Sequence, residues 1–214
     1  MTNFRGQQIK KEQSESDKAL AELQAPTWGN HAAFAAQPMW SEILPGLWQG
    51  GTHDWDVMGI SGWRKPEQPY ITRSDFDTVI TLYAAAKPVD WHVRELRYGM
   101  WDSNLADVDF ADIFDIVELA HSDWLKGKKV LIRCQAGWNR SGLITALVLI
   151  REGYSPAEAI RLIREQRNEF ALCNPDFVEW LYRGMDPEDW RGDFYQDPCT
   201  WGLSEVEAEV EAKD

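Results

Sequence analysis

Near the middle of the chain runs the sequence Val130-Leu131-Ile132-Arg133-Cys134-Gln135-Ala136-Gly137-Trp138-Asn139-Arg140-Ser141-Gly142. Its opening residues are β-branched or apolar, which is typical of a buried strand. The run that follows, residues 143–150, is apolar nearly all round, as in a buried helix. The sequence therefore predicts a strand, a tight loop and a helix, with Cys134 at the end of the strand and Arg140 at the start of the helix.

The predicted loop has the properties of an anion site. In such a loop successive backbone N–H groups point into one concavity, and the helix dipole adds positive potential. Arg140 can complete the site, because its planar guanidinium binds phosphate through two hydrogen bonds. The same positive potential favours the thiolate of Cys134, which would then be a nucleophile directed at phosphorus. The alternative is an inert buried cysteine beside a helix-capping arginine, which explains the glycines, the serine and the apolar flanks less well.

These residues resemble the signature loop of the cysteine-dependent protein tyrosine and dual-specificity phosphatases. Cys134 is followed by five residues, then by Arg140 and Ser141, and Gly137 is third after the cysteine. We call residues 134–140 the signature loop. The resemblance extends over roughly residues 40–184. It implies an α/β domain of three layers, of the phosphotyrosine-phosphatase (dual-specificity) type, with a central, mostly parallel sheet flanked by helices.

The resemblance also implies a role for each site residue. In that family the cysteine forms a phosphocysteine intermediate and the arginine binds the phosphoryl oxygens, here Cys134 and Arg140. The hydroxyl after the arginine, here Ser141, assists departure of the thiolate. An aspartate on an upstream loop is the general acid. Asp102 matches it in position and follows Trp101, whose bulk could desolvate the carboxyl group. The remaining loop residues would bind the substrate phosphate through their backbone N–H groups: Gln135, Ala136, Gly137, Trp138 and Asn139.

Several other positions have competing interpretations. Asp107 and Asp109 lie where a helix N-cap or first turn favours a carboxylate, and this role is preferred to catalysis. For Asn174 an N-cap is likewise preferred to a role near the signature loop. The indole of Trp138 is a candidate groove wall. Cys173 either traps an oxidised Cys134 as a disulfide or, as the preferred interpretation, is a buried structural thiol.

One residue departs from the family pattern. The family usually has histidine just before the cysteine, where this chain has Arg133. The histidine helps to order the loop, and an arginine supplies positive charge without the same hydrogen bonds. The substitution leaves the degree of thiolate activation and the turnover rate open.

The rest of the chain predicts alternating strands and helices. Pro45-Gly46 is the turn of a hairpin, and strands are expected within residues 76–83 and 91–98. A helix with apolar residues at helical spacing begins near Phe110 and ends at Gly127. Two further helices begin at a Ser155–Glu158 capping box and at Asn174. The basic run of the first of these helices is interpreted as a solvated face: Arg161, Arg164 and Arg167.

Composition bounds the protein class and its location. The 214 residues predict one domain (38–185) between a polar N-terminal tail (1–37) and an acidic C-terminal tail (186–214), and within the former tail a docked helix is the less favoured alternative. No apolar run reaches the length of a membrane span, and no signal peptide is expected. Three widely spaced cysteines favour a reducing cytoplasm.

The net charge of −13 disfavours nucleic acid and anionic membrane as partners. The four histidines lack metal-ligand spacing, so we expect no metal and no cofactor.

The sequence thus predicts a protein phosphatase acting on phosphotyrosine, with phosphoserine and phosphothreonine as further substrates. Its partner would be a phosphorylated protein or peptide. An RNA 5′-phosphatase is an alternative, because Gly137 and Asn139–Gly142 also resemble the RNA triphosphatase branch, but the acidic chain and Asp102 oppose it. A phosphoinositide phosphatase is disfavoured because the loop has no lysine. Another alternative is a pseudophosphatase that binds phosphoproteins, for which Arg133 is the support. The physiological substrate and the oligomeric state stay open.

Overall fold

The computed structural model describes residues 15–24, 37–52, 70–106 and 108–184. Within these ranges the chain forms one five-stranded sheet in the order β1-β2-β5-β3-β4. β1 and β2 are antiparallel, whereas β2, β5, β3 and β4 run parallel to one another. The strands are β1 (Trp40–Leu44), β2 (Leu47–Gly50), β3 (Thr78–Thr81), β4 (Arg94–Arg97) and β5 (Val130–Arg133). The expected hairpin and the mostly parallel sheet are therefore confirmed.

From Phe110 onward, the helices of the described residues begin and end where the sequence marks them. They are α1 (Phe110–Leu125), α2 (Arg140–Glu152), α3 (Pro156–Gln166) and α4 (Pro175–Glu179), the last continued by a π-helical turn, Trp180–Gly184. Asp109, Ser155 and Asn174 each accept a hydrogen bond from a backbone N–H of the helix that follows, and Ser155 forms the predicted capping box with Glu158. Gly153 ends α2 in the left-handed conformation.

Each face of the sheet is covered by a different part of the chain. On one face, Thr78 of β3 donates a 2.6 Å hydrogen bond to Asp123 of α1. The next residue, Val79, lies on the other face in an apolar cluster with Phe76 and Leu131, against which Trp40 and Trp48 pack. Because side chains alternate along a strand, the sheet is buried between two covering layers. This is the three-layer α/β arrangement expected from the sequence.

The parallel strands bring their carboxyl ends to one edge of the sheet. The signature loop follows β5 at this edge, and Asp102 lies five residues after the end of β4, Arg97. Ligands of open α/β sheets bind at this edge, because the loops there surround a crevice. The topology alone therefore places the predicted nucleophile and the predicted acid on the same side of the molecule.

Residues 15–23 form a helix within the stretch that the sequence assigns to a polar tail. Leu20 and Leu23 are buried, and Asp17 accepts a hydrogen bond from Arg183. This segment is therefore a docked helix, which was the less favoured of the two interpretations of the N-terminal tail. Two leucines three positions apart are a weak apolar signal, which explains why sequence analysis favoured a tail. In the described part of the chain, no helix is both long and apolar enough to cross a membrane.

Candidate active site

The signature loop is shaped by a glycine that no other residue can replace. Gly137 has a φ of +77°, in the left-handed region. A Cβ atom at this position would lie 2.3 Å from the carbonyl carbon of Gly50 and 2.5 Å from the backbone nitrogen of Gly51. Both the conformation and the close approach of two backbones therefore require glycine, as the sequence predicts.

Hydrogen bonds from the surrounding protein hold the loop carbonyls away from the centre of the loop. The backbone N–H of Thr52 donates to the carbonyl of Gln135, and that of Leu172 donates to the carbonyl of Trp138. The carbonyls of Ala136 and Gly137 accept hydrogen bonds from side chains; the donors are Gln37, Gln49 and Arg167. When the carbonyls of a tight loop are fixed outward, its N–H groups are left to face inward, as in an anion-binding nest.

Arg167 is a structural part of this loop and not a residue of a solvated face. Its side chain is 5% exposed and donates to the carbonyls of Gly137 (3.2 Å), Ala136 (3.5 Å) and Pro38. Burial lowers the pKa of Arg167 to about 10, which still leaves the group charged at neutral pH. Arg164 also turns inward and donates to two backbone carbonyls, so the predicted solvated face was wrong for both arginines.

Cys134 lies at the base of the loop, where β5 ends. Its side chain is 1% exposed, and its Sγ accepts a 3.3 Å hydrogen bond from the backbone N–H of Gly137. The Oγ of Ser141, in the first turn of α2, lies 3.3 Å from the same sulfur. When Cys134 is a thiolate, the hydroxyl of Ser141 can only donate to it, so two donors would then stabilise the sulfur.

Arg140 completes the loop and retains unused hydrogen-bonding capacity. Its side chain donates to the carbonyl of Met100 (3.3 Å), its guanidinium lies 5.6 Å from the ring centre of Tyr83, and its Nε is 3.9 Å from a carboxylate oxygen of Asp102. Among the described residues no acceptor lies within hydrogen-bonding distance of this buried Nε. A buried donor without a partner is costly, so an anion in the loop would be stabilised by it.

Asp102 is the predicted acid that the fold brings to the loop. Its two carboxylate oxygens accept hydrogen bonds from the side-chain amides of Asn139 and Asn174, each at 3.3 Å. Trp101, expected to desolvate Asp102, is 79% exposed and does not cover it in this way. Of the other two candidates, Asp109 caps α1 and Asp107 lies outside the described residues.

The hydrogen bonds of the Arg133 guanidinium are made to residues outside the signature loop. Its guanidinium donates to Oγ1 of Thr81 (2.9 Å), to the carbonyl of Lys87 (2.7 Å) and to the carboxylate of Glu95 (3.0 Å). Thr81 belongs to β3, Glu95 to β4 and Lys87 to the segment between these strands. The side chain of Arg133 is on the face of the sheet opposite α1 and α2. Burial lowers the pKa of Arg133, and the hydrogen bond and charge of Glu95 oppose that effect. The positive charge that the sequence assigned to the site is thus compensated by Glu95.

Trp138, which belongs to the signature loop, and Cys173, which lies next to it, are both buried. The indole of Trp138 is buried, stacks on Phe170 and donates to Gln37 (2.7 Å), so it is not a groove wall. Cys173 is buried and donates to the side-chain oxygen of Asn139 (3.4 Å). Burial raises the pKa of the Cys173 thiol. Its redox role stays a hypothesis.

Sequence analysis missed the supporting role of Gln49. Gln49 is two positions after the buried Leu47 in β2, so its side chain lies on the same buried face of the sheet, where a polar group needs a partner. That pattern was a usable signal. Within the described residues, no three His, Cys, Asp or Glu side chains are arranged to hold a metal ion.

Comparison with known proteins agrees with this fold. The family model of the dual specificity phosphatase catalytic domain matches residues 67–185. Human DUSP28 is 20% identical, over 69% of this chain and 94% of its own, with a TM-score of 0.53. OH1 from the Orf virus, described as a tyrosine phosphatase, is 18% identical over 79% and 96%, with a TM-score of 0.55. A mouse putative dual specificity phosphatase is 18% identical over 77% and 96%, with a TM-score of 0.53. No curated protein matches the chain.

Proposed function

Because the chain belongs to the dual-specificity phosphatase family, a family of protein phosphatases, we propose that it hydrolyses phosphomonoesters on proteins through a phosphocysteine intermediate on Cys134. The observation that carries the proposal is the convergence at the signature loop. The backbone N–H of Gly137 and the hydroxyl of Ser141 lie 3.3 Å from Sγ of Cys134, and Arg140 lies in the same loop with no hydrogen-bond partner for its Nε within the residues that the structure describes. This combination suits a dianionic phosphoryl group held above a sulfur nucleophile.

In the first step the thiolate of Cys134 attacks phosphorus, and the bond between phosphorus and the ester oxygen breaks. The leaving oxygen takes a proton from Asp102, which ends as a carboxylate. Arg140 and the loop N–H groups bind the non-bridging oxygens and stabilise the charge that moves through the transition state.

In the second step water attacks the phosphocysteine. The carboxylate of Asp102 takes a proton from the water, the bond between phosphorus and sulfur breaks, and inorganic phosphate is formed. The sulfur leaves as a thiolate, which the hydroxyl of Ser141 stabilises from 3.3 Å. The cycle converts a phosphomonoester and water into an alcohol or phenol and phosphate, and returns Asp102 to its protonated state.

Phosphotyrosine is the proposed preferred substrate. Cys134 is buried at the base of the loop, so the substrate phosphate must be presented on an arm that reaches inward. A phenyl ring holds the phosphate farther from the peptide backbone than a serine or threonine side chain does. The exposed indole of Trp101, next to Asp102, offers an aromatic surface on the route into the loop.

The two alternatives receive less support. An RNA 5′-phosphatase would bind a polyanion, which a net charge of −13 opposes. The pseudophosphatase rested on Arg133, and the pairing of that residue with Glu95 on the far face of the sheet removes its direct influence on the loop.

The experiment compares turnover of a phosphotyrosine peptide, a phosphoserine peptide and a triphosphate-ended RNA. We expect the phosphotyrosine peptide to be hydrolysed fastest, and Cys134→Ser to reduce its turnover by roughly 10⁴-fold or more, because a serine hydroxyl is too weakly acidic to ionise here. Retention of most of the activity in this variant would exclude cysteine catalysis. Fastest turnover of the RNA would favour the RNA phosphatase, and peptide binding without turnover the pseudophosphatase.

A further inference from the structure

The side-chain amide of Asn139 has a fixed orientation. Its oxygen accepts hydrogen bonds from the backbone N–H of Asn174 (3.1 Å) and from the thiol of Cys173 (3.4 Å). Since burial raises the pKa of Cys173, this thiol keeps its proton and acts as a donor. Both neighbours of the oxygen are donors, so the NH2 group must be on the other side, where it donates to Asp102.

The amide of Asn174 is oriented by a different set of partners. Its oxygen caps α4 by accepting from the backbone N–H of Asp176 (3.0 Å). Its NH2 group therefore faces the other way and donates to Asp102 (3.3 Å) and to the carbonyl of Ser103 (2.9 Å). Two buried amides, one in the signature loop and one at the start of α4, thus converge on the same carboxylate and on the segment that carries it.

We propose that Asn139 and Asn174 are positioning residues that hold the carboxyl group of Asp102 in place for proton transfer and keep it from pairing tightly with Arg140. The inference rests on the proposed role of Asp102 as the acid. The carboxylate lies 3.9 Å from Nε of Arg140, beyond hydrogen-bonding distance. Without the amide donors, its nearest compensating charge would be that guanidinium. Asp102 would then turn towards Arg140 and occupy a group that the phosphate needs.

Asn174→Ser tests the proposal, because serine caps a helix as well as asparagine does but lacks the NH2 group that donates to Asp102 and the carbonyl of Ser103, and its hydroxyl is held closer to the backbone. We expect the melting temperature to stay within about 2 °C of the native value. Turnover of phenyl phosphate, which has a poor leaving group, should fall by roughly 10- to 100-fold. Turnover of an aryl phosphate with a strongly activated leaving group should change by less than about threefold, since that group departs without a proton.

Two comparisons separate positioning from a general structural effect. Asp109→Ser exchanges the cap of α1, which does not touch Asp102, and should leave both substrates unaffected. In the Asp102→Asn background, Asn174→Ser should cause no further loss on phenyl phosphate, because residues that act as a unit are not additive. Equal losses on both substrates, or a further loss in the Asp102→Asn background, would overturn the proposal.

A measurement without substrate keeps this test independent of the proposed function. Hydrogen exchange of the backbone amides of residues 100–106 should become faster in Asn174→Ser, because the carbonyl of Ser103 and the carboxylate of Asp102 lose a donor. Exchange in α4 should be unchanged. Unaltered exchange in residues 100–106 would overturn the proposal. Absent turnover in the native protein would instead contradict the proposed function while leaving this measurement decisive for the two amides.

Discussion

Arg133 immediately precedes the signature loop and Arg140 ends it, and the two residues are 2% and 8% exposed. The guanidinium of Arg133 donates to a hydroxyl, a carbonyl and a carboxylate at 2.7–3.0 Å. That of Arg140 donates to one carbonyl at 3.3 Å, lies near an aromatic ring and approaches Asp102 only to 3.9 Å. Two buried cations in the same part of the fold are therefore compensated to very different degrees.

This difference supports the proposal that Arg140 binds the substrate, whereas Arg133 has a structural role. A buried charge is stable only when hydrogen bonds and opposite charge replace the water it has lost. Glu95 and its neighbours provide that replacement for Arg133, which has little left to offer a ligand. The Nε of Arg140 has no such acceptor in the described part of the chain, and in the proposed function a phosphoryl group in the loop would supply one. Arg133 and Arg140 are thus the same residue type but differ in how fully they are hydrogen-bonded, and we base the proposed difference in their roles on this contrast.

The largest expected effect comes from making the same substitution at both positions. Arg140→Lys should lower turnover of a phosphotyrosine peptide by roughly 10²–10³-fold, because a lysine keeps the charge but cannot bind two phosphoryl oxygens through a planar fork. Urea unfolding should show little change in stability, since Arg140 contributes few strong contacts.

Arg133→Lys is the matched control. A lysine cannot reach Thr81, Lys87 and Glu95 at once, so the free energy of unfolding should decrease while turnover of the folded protein changes by less than about threefold. A larger loss of turnover for Arg133→Lys than for Arg140→Lys would reverse the assignment of the two arginines.

Local parts of the fold could be predicted because their signals are local. The strand, loop and helix around Cys134 follow from apolar runs, and the capping box at Ser155 follows from a four-residue pattern. Gly137 followed from its place in the loop. The cap formed by Asn174 could also be predicted, because its side chain accepts from the backbone N–H only two positions later in the sequence.

Contacts between distant segments could not be read in this way. The partners of Arg133 are 38–52 residues away in sequence, and a basic residue on one strand does not indicate that a carboxylate lies on another strand. Arg167 matched the spacing of a solvated helix face, yet its partners are Pro38, Ser41 and residues 136–137. Asn139 offered no sign that its side chain, and not only its backbone, would reach Asp102. Each case depends on tertiary packing, which periodicity does not encode.

A smaller effect is expected from restoring the family's histidine. In Arg133→His the imidazole is too short to bind Glu95 and the carbonyl of Lys87 together, so stability should fall by about 1–3 kcal/mol. Turnover of the folded protein should not rise, because the loop carbonyls are held by Gln49 and Arg167. Urea unfolding and turnover per folded molecule measure the two effects. A clear rise in turnover would indicate that the native loop is poorly ordered.

The smallest effect concerns the pH dependence of stability around Arg133. Burial of Glu95 would raise its pKa, but hydrogen bonds from Thr81 and Arg133, together with the charges of Arg133 and Arg97, outweigh burial and hold the pKa below its ordinary value of 4.5. A carboxyl group with a lowered folded-state pKa contributes stability that is present above the unfolded pKa and is lost as pH falls through the folded one. The contribution of Glu95 should therefore be complete at neutral pH and decline below about pH 4.5.

Comparison with Glu95→Gln isolates this contribution, because glutamine has nearly the same shape and does not titrate. Native protein should be the more stable of the two at pH 7, and the difference in unfolding free energy should shrink as the pH falls below about 4.5. Asp123 also has a lowered pKa, since its hydrogen bonds from Lys128 and Thr78 outweigh the raising effect of burial, but it titrates in both proteins and cancels in the difference. A difference that stays constant across this range would mean that the carboxylate of Glu95 gains no stabilisation from Arg133. In that case the charge of Arg133 would be uncompensated, and the contrast with Arg140 would not hold.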